Sequence, residues 1–232
     1  MRFVLALASL PFAWSLVPSL LDAFRLMPVP DGRLLPPGAI WLASGFAVFL
    51  LCWAFFPAPV RLYVLGHELT HALWGLAFGA RPSNLRVGLR GGCVTLTKSN
   101  VWITLAPYFF PFWTAIVGLL ALVARCFVST LPCSGAWLFA VGFTWCFHVC
   151  FTLRSLMQSQ PDAKEYGYFF SYVLIWIMNA AGLMAWLVCT GETPWRKIGK
   201  CVLSNSADAY AFVADCFARL YEFVRSLPIL QG

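Results

Sequence analysis

The sequence predicts an all-α integral membrane protein with about six transmembrane helices, one short membrane-associated β-hairpin and a C-terminal amphipathic helix. Three observations carry this. Of the 232 residues, 61% are hydrophobic and only 11% charged, against about 25% charged in soluble domains. Five intervals, 3–21, 39–57, 101–124, 126–153 and 166–191, contain no Asp, Glu, Lys or Arg. Each is near or above the roughly 18 residues at which an apolar stretch reads as a spanning helix. A sixth apolar stretch, 62–80, differs in holding His67, Glu68 and His71 at its centre; ionisable groups at that depth are costly and usually face a bundle interior to do a job.

Taken in order, the elements divide into N-terminal membrane helices (1–57), a membrane core (58–190) and a tail (191–232). The first interval has Arg2 before an apolar run, as a leader would. Pro11 and Pro18 interrupt the run and no small-residue cleavage site closes it before Asp22, so it reads as a retained helix. Trp41, Trp102, Tyr108, Trp137 and Tyr168 fall near span ends, where aromatic belts form. With six crossings, Arg25, Arg33, Arg81, Arg86, Arg90, Lys98, Arg154 and Lys164 lie on one side. Arg2, Arg61, Arg125, Arg196, Lys197 and Lys200 lie on the other, the distant tail residues Arg219 and Arg225 aside. The excess turns the first side toward the cytoplasm of a plasma (inner) membrane.

Residues 85–97 alternate with period two on both sides of Gly91-Gly92, a hairpin pattern. In the tail, Tyr210, Val213, Phe217, Leu220, Val224 and Leu227 recur at three- and four-residue steps from Ser204 onward. Such a helix lies on the membrane or on the bundle. The net charge of +7 comes from 16 Lys and Arg against 9 Asp and Glu. These charges are scattered between apolar stretches and form no basic face, which argues against nucleic acid as a partner. The partners expected are the lipid bilayer and a membrane protein or peptide; oligomeric state has no signature. Nine Cys, with no C-x-x-C pair, read as small hydrophobes rather than as a disulfide framework.

Chemistry concentrates at His67-Glu68-Leu69-Thr70-His71, an H-E-x-x-H match holding two of the three His in the chain. On a helix, positions i and i+4 differ by about 40° in azimuth and 6 Å in height. His67 and His71 therefore project from one face and can share a Zn2+ ion, with Glu68 beside them as the acid–base group. A hydrolytic site needs a third protein ligand. A metzincin arrangement is excluded because Ala77 stands where its third His would be and Trp74 where its Gly would be. No carboxylate occurs between Glu68 and Asp162, which leaves Asp162, His148, Glu165 and Cys93. Asp162 lies in a polar break, 158–167, bounded by Pro161 and Gly167; irregular backbone at membrane depth is tolerated where it lines a wet cavity. His148 is the alternative, as a ligand or as a residue supporting one.

Over roughly residues 60–190 the chain resembles the site-2-protease family of intramembrane zinc metallopeptidases. The likeness rests on His67 to His71 within a span, on the Gly79-Ala80-Arg81 exit into the Leu85–Leu89 strand and Gly91-Gly92, and on the later break with Asp162. Gln160-Pro161-Asp162-Ala163 stands where the family has an Asn-Pro and an Asp-Gly pair, and Ala106-Pro107 where it has Gly-Pro. The resemblance implies Asp162 as third zinc ligand, cleavage of membrane-embedded substrates, and a zinc site nearer the cytoplasmic face. It further implies that the hairpin around Val87, Gly91, Gly92 and Val94 offers an edge to an extended substrate. Two other classes compete: a catalytically silent metalloprotein or scaffold subunit, and a haem or metal carrier using His67, His71 and His148.

Overall fold

The computed structural model describes residues 1–30, 32–89, 91–127, 135–189 and 193–226. In chain order the elements are α1 (Arg2–Arg25), α2 (Pro37–Phe55), α3 (Val60–Ala77), β1 (Pro82–Val87), β2 (Gly92–Leu96), α4 (Val101–Phe109), α5 (Phe112–Phe127), α6 (Gly135–Leu156), α7 (Pro161–Tyr166), α8 (Tyr168–Cys189) and α9 (Trp195–Ser226). Four of them, α1, α2, α6 and α8, are long and apolar enough to cross a membrane. A fifth crossing requires α4 and α5 together, and that pair is bent by 76°.

Two sequence expectations change here. The uncharged interval 101–124 does not form one straight helix. Pro111 has no N–H to continue the ladder, and Phe110 before it is extended (φ −97°, ψ 107°), the conformation a following proline favours. The sixth expected span forms α3, but Arg61, His67, Glu68 and His71 make it too polar to stand among the crossing helices. Among the described residues the helices long and apolar enough to cross number four, or five with the bent pair, and a sixth is not among them.

Helix directions follow from the contacts. Helices α2 and α6 are parallel: Trp41 meets Gly135 near their starts and Trp53 meets the Phe151 ring at 4.8 Å near their ends. Between these points a Cβ on Gly45 would collide with the Phe139 carbonyl, and one on Gly142 with the Leu42 carbonyl. Glycine is what lets the two backbones touch. Helices α1 and α8 are parallel too, joined by the Phe3–Phe169 ring contact, by Trp176 Nε1 donating to the Ala13 carbonyl (2.8 Å), and by a shared core of Leu16, Ala23, Met184 and Leu187. Pro11 and Pro18 leave α1 unbroken.

The tail helix starts at Trp195 rather than Ser204 and runs antiparallel along α1. Asn205 donates to Ser19 Oγ and Asp22 Oδ2, Ser206 bonds Ser15, and Tyr210 donates to the Ala8 carbonyl. Of the expected apolar stripe, Tyr210 reaches α1, Phe217, Leu220 and Val224 stay exposed, and Leu227 lies outside the described residues.

These directions correct the charge ledger. Six crossings put Arg2 on the side away from the hairpin, yet Arg2 Nη1 donates to the Glu165 carbonyl (3.1 Å). The start of α1 therefore shares the end of the bundle that carries α7.

The hairpin is present with shifted limits. Strand β1 begins at Pro82, and the antiparallel register pairs Pro82 with Leu96, Arg86 with Cys93 and Val87 with Gly92. Gly88 N–H donates to the Gly91 carbonyl at 3.0 Å, so the turn runs from Gly88 to Gly91 and Gly92 is a strand residue. Arg90 lies outside the described residues.

Candidate metal centre

Helix α3 lies under the hairpin and against α4. Asn100 starts α4: its Oδ1 accepts the N–H groups of Trp102 and Ile103 (2.9 and 3.0 Å), capping donors that have no partner in the helix. That sets the Ile103 carbonyl 2.9 Å from His71 Nδ1. One turn earlier on α3, His67 Nδ1 lies 3.3 Å from the Tyr63 hydroxyl. In both imidazoles Nδ1 is thus engaged and Nε2 is turned inward.

What they turn toward is Asp162, the second residue of α7. Pro161 opens that short helix with the φ a first helical turn needs, and Ser171 Oγ ties it to α8 by donating to the Ala163 carbonyl (2.9 Å). His67 Nε2 and His71 Nε2 each lie 3.5 Å from Asp162 Oδ2. The three ligand atoms are all within 4.8 Å of one another, and they are the metal-capable trio among the described residues. A tetrahedral ion with bonds of about 2.0–2.2 Å holds its ligand atoms about 3.3–3.6 Å apart, so the donor set fits a small divalent cation.

Asp162 also accepts the Tyr108 hydroxyl at 2.9 Å. Burial alone would raise the Asp162 carboxyl, but the hydrogen bonds from His67 and His71 outweigh it and hold the group well below the usual carboxylate range.

Glu68 stands outside this trio. Its side chain is buried, lines the same cleft, and accepts the backbone N–H of Val94 in β2. The cleft, about 640 Å³, is walled by one face of α3, by β2 and by the ends of α6 and α7. Gly92 makes the closeness of hairpin and helix possible. A Cβ there would sit 2.7 Å from Val64 Cγ1 and 2.8 Å from Glu68 Cγ.

The sequence candidates therefore separate. His67, His71 and Asp162 converge, and Glu68, Gly91, Gly92 and Val94 line the cleft with them. Val87 pairs with Gly92 on the far strand and does not line it. Cys93 and Glu165 line the cleft outside the trio. His148 is buried in α6, its Nε2 3.3 Å from Asn179 Oδ1, and Asn179 Nδ2 donates to the Tyr108 carbonyl at 2.8 Å. His148 thus belongs to the scaffold behind Tyr108 rather than to the trio.

Two residues escaped the sequence reading. Tyr108 reads as an interfacial belt residue, yet it is fully buried beneath the site. Asn179 passed unremarked, although it is the single Asn inside the uncharged intervals and an amide there needs buried partners. Compared with known proteins, the chain matches no family model, no curated protein and no solved structure.

Proposed function

We propose that this protein is a membrane-embedded zinc endopeptidase. His67, His71 and Asp162 hold the metal, Glu68 moves the proton, and the substrate is an extended segment of a membrane protein. The observation that carries the reading is the convergence of two His from one helix and an Asp from a helix break, beside a buried carboxylate that is not itself in the ligand set. Zinc bound there would supply a Lewis acid that lowers the pKa of water and polarises the scissile carbonyl.

The chain's own groups do the rest. The Ile103 carbonyl accepts the Nδ1–H of His71, which fixes its tautomer and leaves Nε2 free to bind; in this reading the Tyr63 hydroxyl oxygen accepts the Nδ1–H of His67 to the same effect. Glu68 takes a proton from the attacking water on its carboxylate and delivers it to the leaving amine nitrogen. Among the described residues strand β2 pairs with β1 on one side only, and its Val94 N–H faces Glu68. A substrate laid along that edge is held by main-chain pairing, which tolerates many sequences.

In this reading α3 is a helix inserted from one face of the bilayer rather than a crossing. Val60 at its start lines the same cleft as Ser99, Thr104 and Glu165, which this reading takes as the face from which the helix enters. Five crossings then place Arg2, Arg61, Arg81, Arg86, Arg90, Lys98, Arg154 and Lys164 at that face, which directs it to the cytoplasm of a plasma membrane. The haem-carrier alternative loses ground, because His67 and His71 both face one Asp162 oxygen and so cannot take opposite axial positions.

The test compares wild type with Glu68→Gln for zinc content and for cleavage of a transmembrane reporter peptide. The expected result is one zinc per chain in both, with cleavage lost in the variant. Undiminished cleavage would remove Glu68 from its role, and wild type free of zinc would remove the metal reading.

A further inference from the structure

The metal trio draws its third member from α7, a helix of six residues between two loop positions. So short a helix has little stability of its own, and where Asp162 sits depends on what holds α7. Four contacts do: Tyr108 on Asp162, Ser171 on the Ala163 carbonyl, a bond between Thr104 and the Tyr166 hydroxyl, and Arg2. The first three come from the core around the site. The fourth comes from the other end of the sequence.

Arg2 holds α7 in two ways. Its Nη1 donates to the Glu165 carbonyl (3.1 Å), one of the carbonyls at the C-terminal end of α7 that lack a helical partner. Its guanidinium lies over the Tyr166 ring, 4.6 Å from the centroid. The charge also complements the negative end of the helix dipole. Phe3, the next residue, packs on Phe169 at 5.2 Å, and α1 is in turn anchored along α8 by Trp176 and the Leu16–Ala23 core. The clamp is therefore mounted on a rigid support, and it grips the end of α7 opposite the one that carries Asp162.

We propose that Arg2 is a positioning residue for the third metal ligand, holding α7 and with it Asp162 against the His67–His71 pair. The inference rests on the metal reading above. It assigns α1, which contributes no residue to the cleft, a direct part in metal affinity.

The experiment uses the full chain in detergent with Co2+ as probe, reading both the dissociation constant and the intensity of the d–d absorption bands, which report ligand geometry. Arg2→Ala is expected to weaken Co2+ about 10-fold, the lower end of what outer partners of metal ligands contribute, and to change the band intensity. Arg2→Lys, which keeps a donor and a cation, restores most of the affinity. Arg25→Ala, at the other end of the same helix and paired with Asp22, leaves both readouts at wild type.

The deciding comparison repeats Arg2→Ala on an Asp162→Ala background. If Arg2 acts through Asp162, the second substitution costs nothing further. An unchanged spectrum and affinity in Arg2→Ala, or an equal loss on both backgrounds, overturns the proposal. Tyr166→Leu removes the stacking half of the clamp together with the Thr104 bond, without touching α1, and must weaken Co2+ in the same direction; Tyr166→Phe, which keeps the ring under Arg2 and loses only the Thr104 bond, gives the part owed to stacking by difference. Wild type that binds no Co2+ removes the metal centre itself and this inference with it, an outcome distinct from a variant that binds as wild type does.

Discussion

Gly92→Ala separates the hairpin's part in catalysis from the metal's. The added Cβ meets Arg86 O and Val64 Cγ1 at 2.7 Å and Glu68 Cγ at 2.8 Å, where unstrained contacts lie at about 3.5 Å or more. Relief from Val64 and Glu68 therefore needs β2 to lift from α3 by about 0.7–1 Å, and relief from the Arg86 carbonyl needs it to shift against β1 as well. Over-packing of this kind costs about 1–3 kcal/mol, less than the roughly 5–15 kcal/mol of a typical fold, so the protein survives. The same lift stretches the Val94–Glu68 hydrogen bond and moves the substrate edge off the reacting groups. A misplacement of about 1 Å costs on the order of 10²-fold in rate. His67, His71 and Asp162 belong to α3 and α7, not to the hairpin, so zinc content stays at wild type. The assay pairs reporter cleavage with metal content in Gly92→Ala and in Gly199→Ala, a site with open space around it. Cleavage in Gly92→Ala should fall about 10²-fold while metal and the Gly199 control are unchanged. Wild-type cleavage in Gly92→Ala would refute the closeness argued for hairpin and helix, and parallel loss of metal would show that the hairpin supports the ligands instead.

Tyr108→Phe deletes the 2.9 Å hydrogen bond to Asp162 and keeps the ring against His67; metal affinity should drop about 10-fold, read by competition with a chelator, and an unchanged constant would leave Tyr108 a packing residue. On acidification, a carboxyl whose folded pKa is depressed keeps its stabilising contribution above the unfolded value of about 3.9 and loses it only as pH falls through the folded one. Asp162 is depressed, so it stays ionised through the whole range in which imidazoles take up protons. Metal release followed by atomic absorption should thus track His protonation and be complete before Asp162 titrates; release confined to pH below about 4 would contradict the His pair as ligands.

How much of this was legible in the sequence divides by the range of the interaction. His67, Glu68 and His71 could be placed because their arrangement is set by the 3.6-residue period of one helix, and the break at 158–167 because Pro161 and Gly167 act on their own backbone. The hairpin was visible from its alternation, but its turn was misplaced toward Gly91-Gly92. Gly92 is needed for its approach to α3 across the fold rather than for the turn, and composition does not distinguish the two needs. The number of crossings is hard to read locally for a related reason. An uncharged interval is long enough to span whether or not Pro111 bends it, and an apolar helix with a polar centre is long enough to span whether or not both its ends open on one face.

Tyr108 and Asn179 show where local reading stops. Tyr108 sits near the end of an apolar interval, which in a membrane protein usually means an interfacial anchor. Its role comes instead from a partner 54 residues away, brought there because α4 descends from its Asn100 cap beside α3. Asn179 was the better clue. A lone amide in an apolar span must find buried partners, and its partners are His148 and the Tyr108 carbonyl. The third His of the chain is thus bonded toward the trio through Asn179 and Tyr108. Its burial follows from that chain of bonds: an imidazole deep in α6 holds the amide that holds the tyrosine whose hydroxyl meets Asp162. His148, Asn179 and Tyr108 each have a buried partner in that line, Asn179 through the Tyr108 carbonyl and Tyr108 through its hydroxyl, which is what an apolar bundle requires of the few polar groups it buries, and the line ends at Asp162, the carboxylate that among the described residues is grouped with His67 and His71.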